Sequence, residues 1–313
     1  MNKLSKYLSY GYTNPLSKYL SKVLPDRLIL SLFVQNLKNQ APTTNVQIFT
    51  NTIPELKLSN DFVKELQLAC AYYKFENEIT LSVFGSIASD ETINYSDFDG
   101  VLIYDENKFK SPDKINELKQ LIKEINLLAH LQDSLQHHGI MVIGKNELII
   151  QSNDIINNLI LESKLIYGSN QVKLSNVNKS DYSNFLNKLI NSIQCKLNHE
   201  ENWGNQYFFK NTISELLLLP CSYLQNKNQN YLSKKDSFEL IKSYISPQEL
   251  TLIYQLEKIR RNWIQQSVIK SELTEITVNK IKLNSKTQTE SIAILSEIKS
   301  DLRLLLIRLK PND

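Results

Sequence analysis

Two aspartates one residue apart, Asp97 and Asp99, stand at the entry of an apolar run, GVLIYD (100–105). An earlier apolar run, LSVF (81–84), ends on the pair Gly85-Ser86, with ten residues between Ser86 and Asp97. Both runs read as buried strands. Strand residues two apart point to the same side, so Asp97 and Asp99 would face one place while Phe98 turns into the core. Two hard oxygen ligands side by side suit Mg²⁺, which is held by one or two carboxylates plus substrate phosphates. Gly85 lets backbone come close to a ligand. Ser86 adds a hydroxyl and an amide at the turn after the strand, where phosphate oxygens can be held. The arrangement reads as a site for a triphosphate (NTP) and Mg²⁺ or Mn²⁺.

Taken together, Gly85-Ser86, the ten-residue spacer and Asp97-Phe98-Asp99 resemble the motif of the nucleotidyltransferase superfamily related to DNA polymerase β. The hydrophobic frame before Gly85, Ser96 before the first Asp and the apolar strand after Asp99 also fit that pattern. The resemblance covers residues 62 to 170 well and the C-terminal half only loosely. LESKLIYGSN (161–170) looks like the segment that follows the catalytic sheet in aminoglycoside-type and minimal members, where a Tyr-Gly pair precedes a helical domain. The resemblance implies a Mg²⁺-dependent transferase that moves NMP from an NTP to an acceptor hydroxyl and releases pyrophosphate. Asp97 and Asp99 would hold the metal, and Gly85 and Ser86 would seat the triphosphate.

Members of the superfamily carry a third carboxylate on a later strand, where it serves as general base. Here the candidate strand, GIMVIG (139–144), contains no acid. The nearest ionisable residues are Asp133, His137 and His138 before it and Glu147 after it. Two adjacent histidines at a strand entry place one side chain on each face, and imidazole titrates near neutrality. His138, or Asp133 in its stead, would help deprotonate the acceptor or complete the metal site; a structural histidine is the competing reading. In related transferases a helical domain supplies lysines that reach the nucleotide phosphates, which singles out Lys210 and Lys234, with solvated lysine as the alternative for each. The alternative for the whole chain is a catalytically inactive NTP-binding protein of the same fold, its helical half serving as a partner surface. Arg260-Arg261, before Asn262 and Trp263, resembles a helical ribonuclease domain often paired with minimal nucleotidyltransferases. That domain needs a histidine a few residues on, and none of the four histidines lies there, so no ribonuclease is expected.

The elements that must position these residues follow from periodicity. A helix is expected over 61–78, with Phe62, Leu66, Ala69, Cys70 and Tyr73 on one face. Ser111-Pro112-Asp113 starts another helix, whose Ile115, Leu118, Ile122, Ile125 and Ala129 recur at helical spacing. GIMVIG gives a third strand, ELIIQS (147–152) a fourth, and a helix over 153–163 leads to LIYG. From 180 onward five apolar stripes predict an antiparallel helical bundle, one stripe ending at Pro220. At the N-terminus LSKYLS occurs at 4–9 and 16–21, predicting two short amphipathic helices, then a third over 25–40 and a loop-rich connector over 41–60. The expected class is α+β: a nucleotidyltransferase-type mixed sheet flanked by helices (61–170), after an N-terminal helical extension (1–60) and before the bundle (171–313).

Hydrophobic content of 42% and charged content of 22% belong to soluble globular chains. A net charge of +3 is too mild to argue for nucleic acid, so a small molecule or a protein is favoured as acceptor, with RNA open. Cys70, Cys195 and Cys221 show no metal spacing, which fits a reducing cytoplasm. No run of apolar residues is long enough to span a membrane.

Overall fold

The run ITLSV (79–83) alternates apolar and hydroxyl side chains, and the fold buries every residue of it. The structure, a computed structural model, describes residues 47–57, 61–90, 92, 96–133, 135–136, 138–151, 154–175, 181–263 and 285–311. The helices expected over 1–24 and 25–40, and His137, lie outside these. The described residues fall into two compact units, the first reaching Ser175 and the second starting at Asp181. The class is α+β, a mixed sheet flanked by helices and followed by a helical bundle.

In chain order the first unit runs β1 (Ile48–Thr52), α1 (Asp61–Tyr72), β2 (Ile79–Val83), α2 (Gly85–Ala88), β3 (Gly100–Tyr104), α3 (Pro112–Gln132), β4 (Met141–Gly144), α4 (Lys145–Gln151), α5 (Asp154–Leu161), β5 (Lys164–Gly168) and β6 (Gln171–Ser175). The main sheet has the order β4-β3-β2-β5. β2 is antiparallel to both β3 and β5, and β3 is parallel to β4. A parallel pair needs a long crossover, which α3 supplies. Its start is set locally: Ser111 Oγ accepts the Lys114 amide at 3.3 Å, and Pro112 occupies the first turn.

Alternation along the strands divides the core. Leu102 joins Ile79, Leu81 and Val83 against Leu66 and Cys70 of α1 and Leu121 and Ile125 of α3. Val101 and Ile103 point the other way, onto Ile143, Leu148, Ile156, Ile160, Val172 and Leu174. Each such aliphatic side chain contributes about 1.5–3 kcal/mol when fully buried.

The first unit departs from the sequence reading in several places. ELIIQS is not a strand. It lies largely in α4, whose first amides, Asn146 and Glu147, donate to the Glu106 carboxylate at 3.0 and 3.2 Å. Short apolar runs do not separate strand from helix, and here a carboxylate from a distant loop starts the helix. LIYG does not follow the sheet but belongs to it, as part of edge strand β5. The 41–60 connector contains β1, which pairs with β6 from Ile48↔Ser175 to Thr52↔Gln171, so the unit reaches beyond 61–170 at both ends. The first helix stops at Tyr72 rather than 78, before Lys74 at φ 57.

The second unit contains α6 (Tyr182–Asn198), α7 (Gln206–Asn228), α8 (Lys234–Leu240), α9 (Pro247–Arg261) and α10 (Ser285–Leu309). α7 packs on α6, α8 and α9, and α10 on α9 and α6. Asp181, Asn205, Ser233 and Ser246 cap four of these helices through side-chain oxygens. Pro220 does not end its helix: α7 continues to Asn228, because Leu216, Leu217, Cys221 and Leu224 on either side of the proline are buried. Among the described residues no helix is long and apolar enough to cross a membrane.

Gly168, at φ +90, is where β5 leaves the sheet, and a Cβ there would stand 2.2 Å from the Ile79 carbonyl oxygen. Neither the backbone angle nor the backbone atom can yield cheaply. Gly168→Ala is expected to remove about 2 kcal/mol or more of stability, read as a lower urea midpoint; an unchanged midpoint would contradict this packing.

Candidate functional site

The β2–β3 ladder runs one step past the strands, with the Phe84 amide donating to the Asp99 carbonyl at 2.9 Å. That bond lays Asp99 against Gly85. A Cβ on Gly85 would meet Asp99 Oδ2 at 2.6 Å, and Gly85 sits at φ +68, so glycine is needed for both space and backbone angle. Ser86 follows, half-buried, in the short helix α2. Between the two aspartates Phe98 is 1% exposed and packs edge-on against Phe62, with ring centroids 5.2 Å apart. Asp97 and Asp99 on either side of it remain partly exposed.

His138, which precedes β4, meets this pair. Its Nε2 lies 3.3 Å from Asp99 Oδ1, and its Nδ1 lies 3.2 Å from the Gly139 carbonyl oxygen. Burial works against charge on this imidazole, yet the Asp99 hydrogen bond, the charges of Asp99 and Asp97 and the Gly139 carbonyl together lift its pKa to about 9. In metal-free protein these partners favour the imidazolium, held between the Asp99 carboxylate and the Gly139 carbonyl. His130, on the last turn of α3, is driven the opposite way, its pKa lowered by burial and by the charge on His138.

Asp133 is 5% exposed, and its carboxylate accepts the Leu135 amide at 2.9 Å, so it shapes the turn after α3. Lys210, in the second unit, is fully buried in α7 and already engaged; Lys234 stands exposed at the start of α8. The structure thus brings together Gly85, Asp99 and His138, with Asp97 close enough to raise the pKa of His138.

Two residues of the site escaped the sequence reading. Gln136 is 1% exposed: its Oε1 accepts the Phe98 amide at 2.9 Å, and its Nε2 donates to the Phe98 and His138 carbonyls, each at 3.0 Å. Asn126 of α3 accepts the Ile140 amide at 2.9 Å and lies against Gly139. The one sequence signal was an asparagine inside an apolar helix stripe; a glutamine in a polar turn carries none.

The donor set is two partly exposed carboxylates with a hydroxyl nearby, beside a glycine that leaves room at Asp99 Oδ2. Such hard oxygens fit Mg²⁺ or Mn²⁺ rather than a softer metal. Among the described residues no cluster of three or more His, Cys, Asp or Glu gathers to hold a metal by protein groups alone. Any ion here would complete its shell with water and phosphate oxygens, the usual state of Mg²⁺.

Two predictions follow from His138. In metal-free protein its imidazole should titrate near pH 9 by NMR, and Asp99→Asn should bring the midpoint down, since burial then meets less opposition. A folded-state pKa above the ordinary 6.5 stabilises the fold fully below pH 6.5, and that contribution is lost as pH rises through 9. Gly85→Ala should cost about 1–2 kcal/mol for its left-handed backbone and should lower the same midpoint by displacing the Asp99 carboxylate. A midpoint near 6.5 in the wild type would refute the first, and a wild-type midpoint in Gly85→Ala the second. No family model matches the chain, and no curated protein matches it.

Proposed function

We propose that the chain is a Mg²⁺-dependent nucleotidyltransferase that moves NMP from an NTP to an acceptor hydroxyl and releases pyrophosphate. The observation that carries this reading is the packing of Asp99 against Gly85, which sets a Gly-Ser turn directly beside a carboxylate pair. Asp97 and Asp99 would hold Mg²⁺ or Mn²⁺ together with phosphate oxygens. The bound ion would neutralise charge that develops on the transferring phosphoryl group. Gly85 and Ser86 would seat the triphosphate. His138 would orient Asp99 through the contact of its Nε2 with Asp99 Oδ1. The acceptor is proposed to be a small molecule or a protein, with RNA less favoured because the net charge is only +3. Three free cysteines support a reducing, cytoplasmic setting.

A specific observation favours a second reading, a nucleotide-binding protein that does not catalyse transfer. β4 carries no acid, and the imidazole at its entry has its pKa raised to about 9 beside Asp99. A raised pKa makes this group a poorer general base at neutral pH, and general-base catalysis is worth about 10²–10⁴-fold in rate. This reading predicts metal-dependent NTP binding without pyrophosphate.

The deciding experiment measures pyrophosphate from each of the four NTPs with Mg²⁺ or Mn²⁺, with labelled NTP to trap self-modified protein. The expected result is metal-dependent release in the wild type that falls to background in Asp97→Asn/Asp99→Asn, with the fold retained by circular dichroism. Release that persists in the double variant would sink both readings of the carboxylates. Binding without release would select the second.

A further inference from the structure

We infer that Gln136 is the positioning residue for the carboxylate pair, a step that rests on the metal reading proposed above. The backbone ladder between β2 and β3 ends at the bond from Phe84 to Asp99, so Phe98 has no strand partner across from it on that side. Phe98 is nevertheless buried, and a buried backbone amide and carbonyl must both be satisfied. Gln136 satisfies both, accepting from the Phe98 N–H at 2.9 Å and donating to the Phe98 C=O at 3.0 Å. The first of these groups belongs to the peptide joining Asp97 to Phe98, the second to the peptide joining Phe98 to Asp99. One side chain therefore fixes both peptide planes from which the two aspartates project.

The remaining amide hydrogen of Gln136 goes to the His138 carbonyl at 3.0 Å. A primary amide has one acceptor oxygen and two donor hydrogens, and all are used. The ring Nδ1 of His138 lies 3.4 Å from Gln136 Nε2 and 3.2 Å from the Gly139 carbonyl oxygen. Gln136 thus ties the aspartates on the approach to β3 to the histidine on the approach to β4. At 1% exposure it faces no water that could take over these bonds. It reaches substrate and metal only through the groups it holds.

The test uses the full chain, Mn²⁺ as probe with binding read by calorimetry and electron paramagnetic resonance, and amide exchange at Phe98. Gln136→Met removes every bond of the side chain. Gln136→Glu, as a carboxylate, keeps the acceptor for the Phe98 N–H and loses both donations. Asn157→Leu is the control: it deletes another buried amide of the same unit, one that donates to the Ser175 carbonyl at 2.9 Å.

Mn²⁺ affinity is expected to fall about tenfold or more in Gln136→Met, the scale typical of groups that orient metal ligands. Phe98 exchange should speed up in the same variant. Gln136→Glu should weaken Mn²⁺ while Phe98 exchange stays slow, and it carries the comparison if Gln136→Met does not fold. Asn157→Leu should lose stability and keep its Mn²⁺ affinity. Wild-type Mn²⁺ affinity in a folded Gln136 variant overturns the inference alone, as does an equal loss in Asn157→Leu or fast Phe98 exchange in the wild type. A wild type that binds no Mn²⁺ while Phe98 remains protected overturns the metal reading itself, and this inference with it.

Discussion

Side chains alternate across an extended segment, so sinking Phe98 into the core turns Asp97 and Asp99 outward as a pair. Much of the first unit depends on that one constraint. The Phe98 ring lies against Phe62 of α1, in the same cluster as Leu81, Leu102 and Leu121. Truncating a buried phenylalanine costs about 3–5 kcal/mol, so core packing itself resists any rotation that would bury the carboxylates. Gly85 works from the other side, since only a residue without Cβ lets Asp99 close onto the backbone.

Asp99 and Asp97 both act on one imidazole and both raise its pKa. His138 answers from within the chain: burial disfavours its charge, and the field of Asp99 and Asp97 more than restores it. His130 is pushed the other way, its pKa lowered by burial and by the charge of His138, the imidazole that touches Asp99. This balance explains why a strand without an acid can still border an acidic site.

Part of this was legible in the sequence and part was not. The placement of Gly85, Phe98 and the aspartates could be read because it depends on local backbone geometry, on period two and on a missing Cβ. The helix start at Ser111-Pro112 was legible for the same reason. Gln136 was not, because its role arises only when the turn after α3 reaches the segment before β3, nearly forty residues away in sequence. α4 escaped because its first amides are satisfied by Glu106, again a distant group. Pro220 was read as a stop because proline breaks helices locally, whereas buried neighbours on both sides outweigh that preference. Lys210 is buried in α7, so the solvated lysine that the sequence offered as its alternative is not what the fold shows.

The pairing of β1 with β6 has a mechanical side. Ile48 lies opposite Ser175, so the first and last described residues of these two strands sit side by side at one end of a two-stranded ribbon. A pull on the two flanks would load the ribbon's bonds one after another, as a zipper is opened, rather than all together in shear. Peeling from the Ile48 end would then draw Leu174 and Val172 out of the core they share with Val101 and Ile103 of β3.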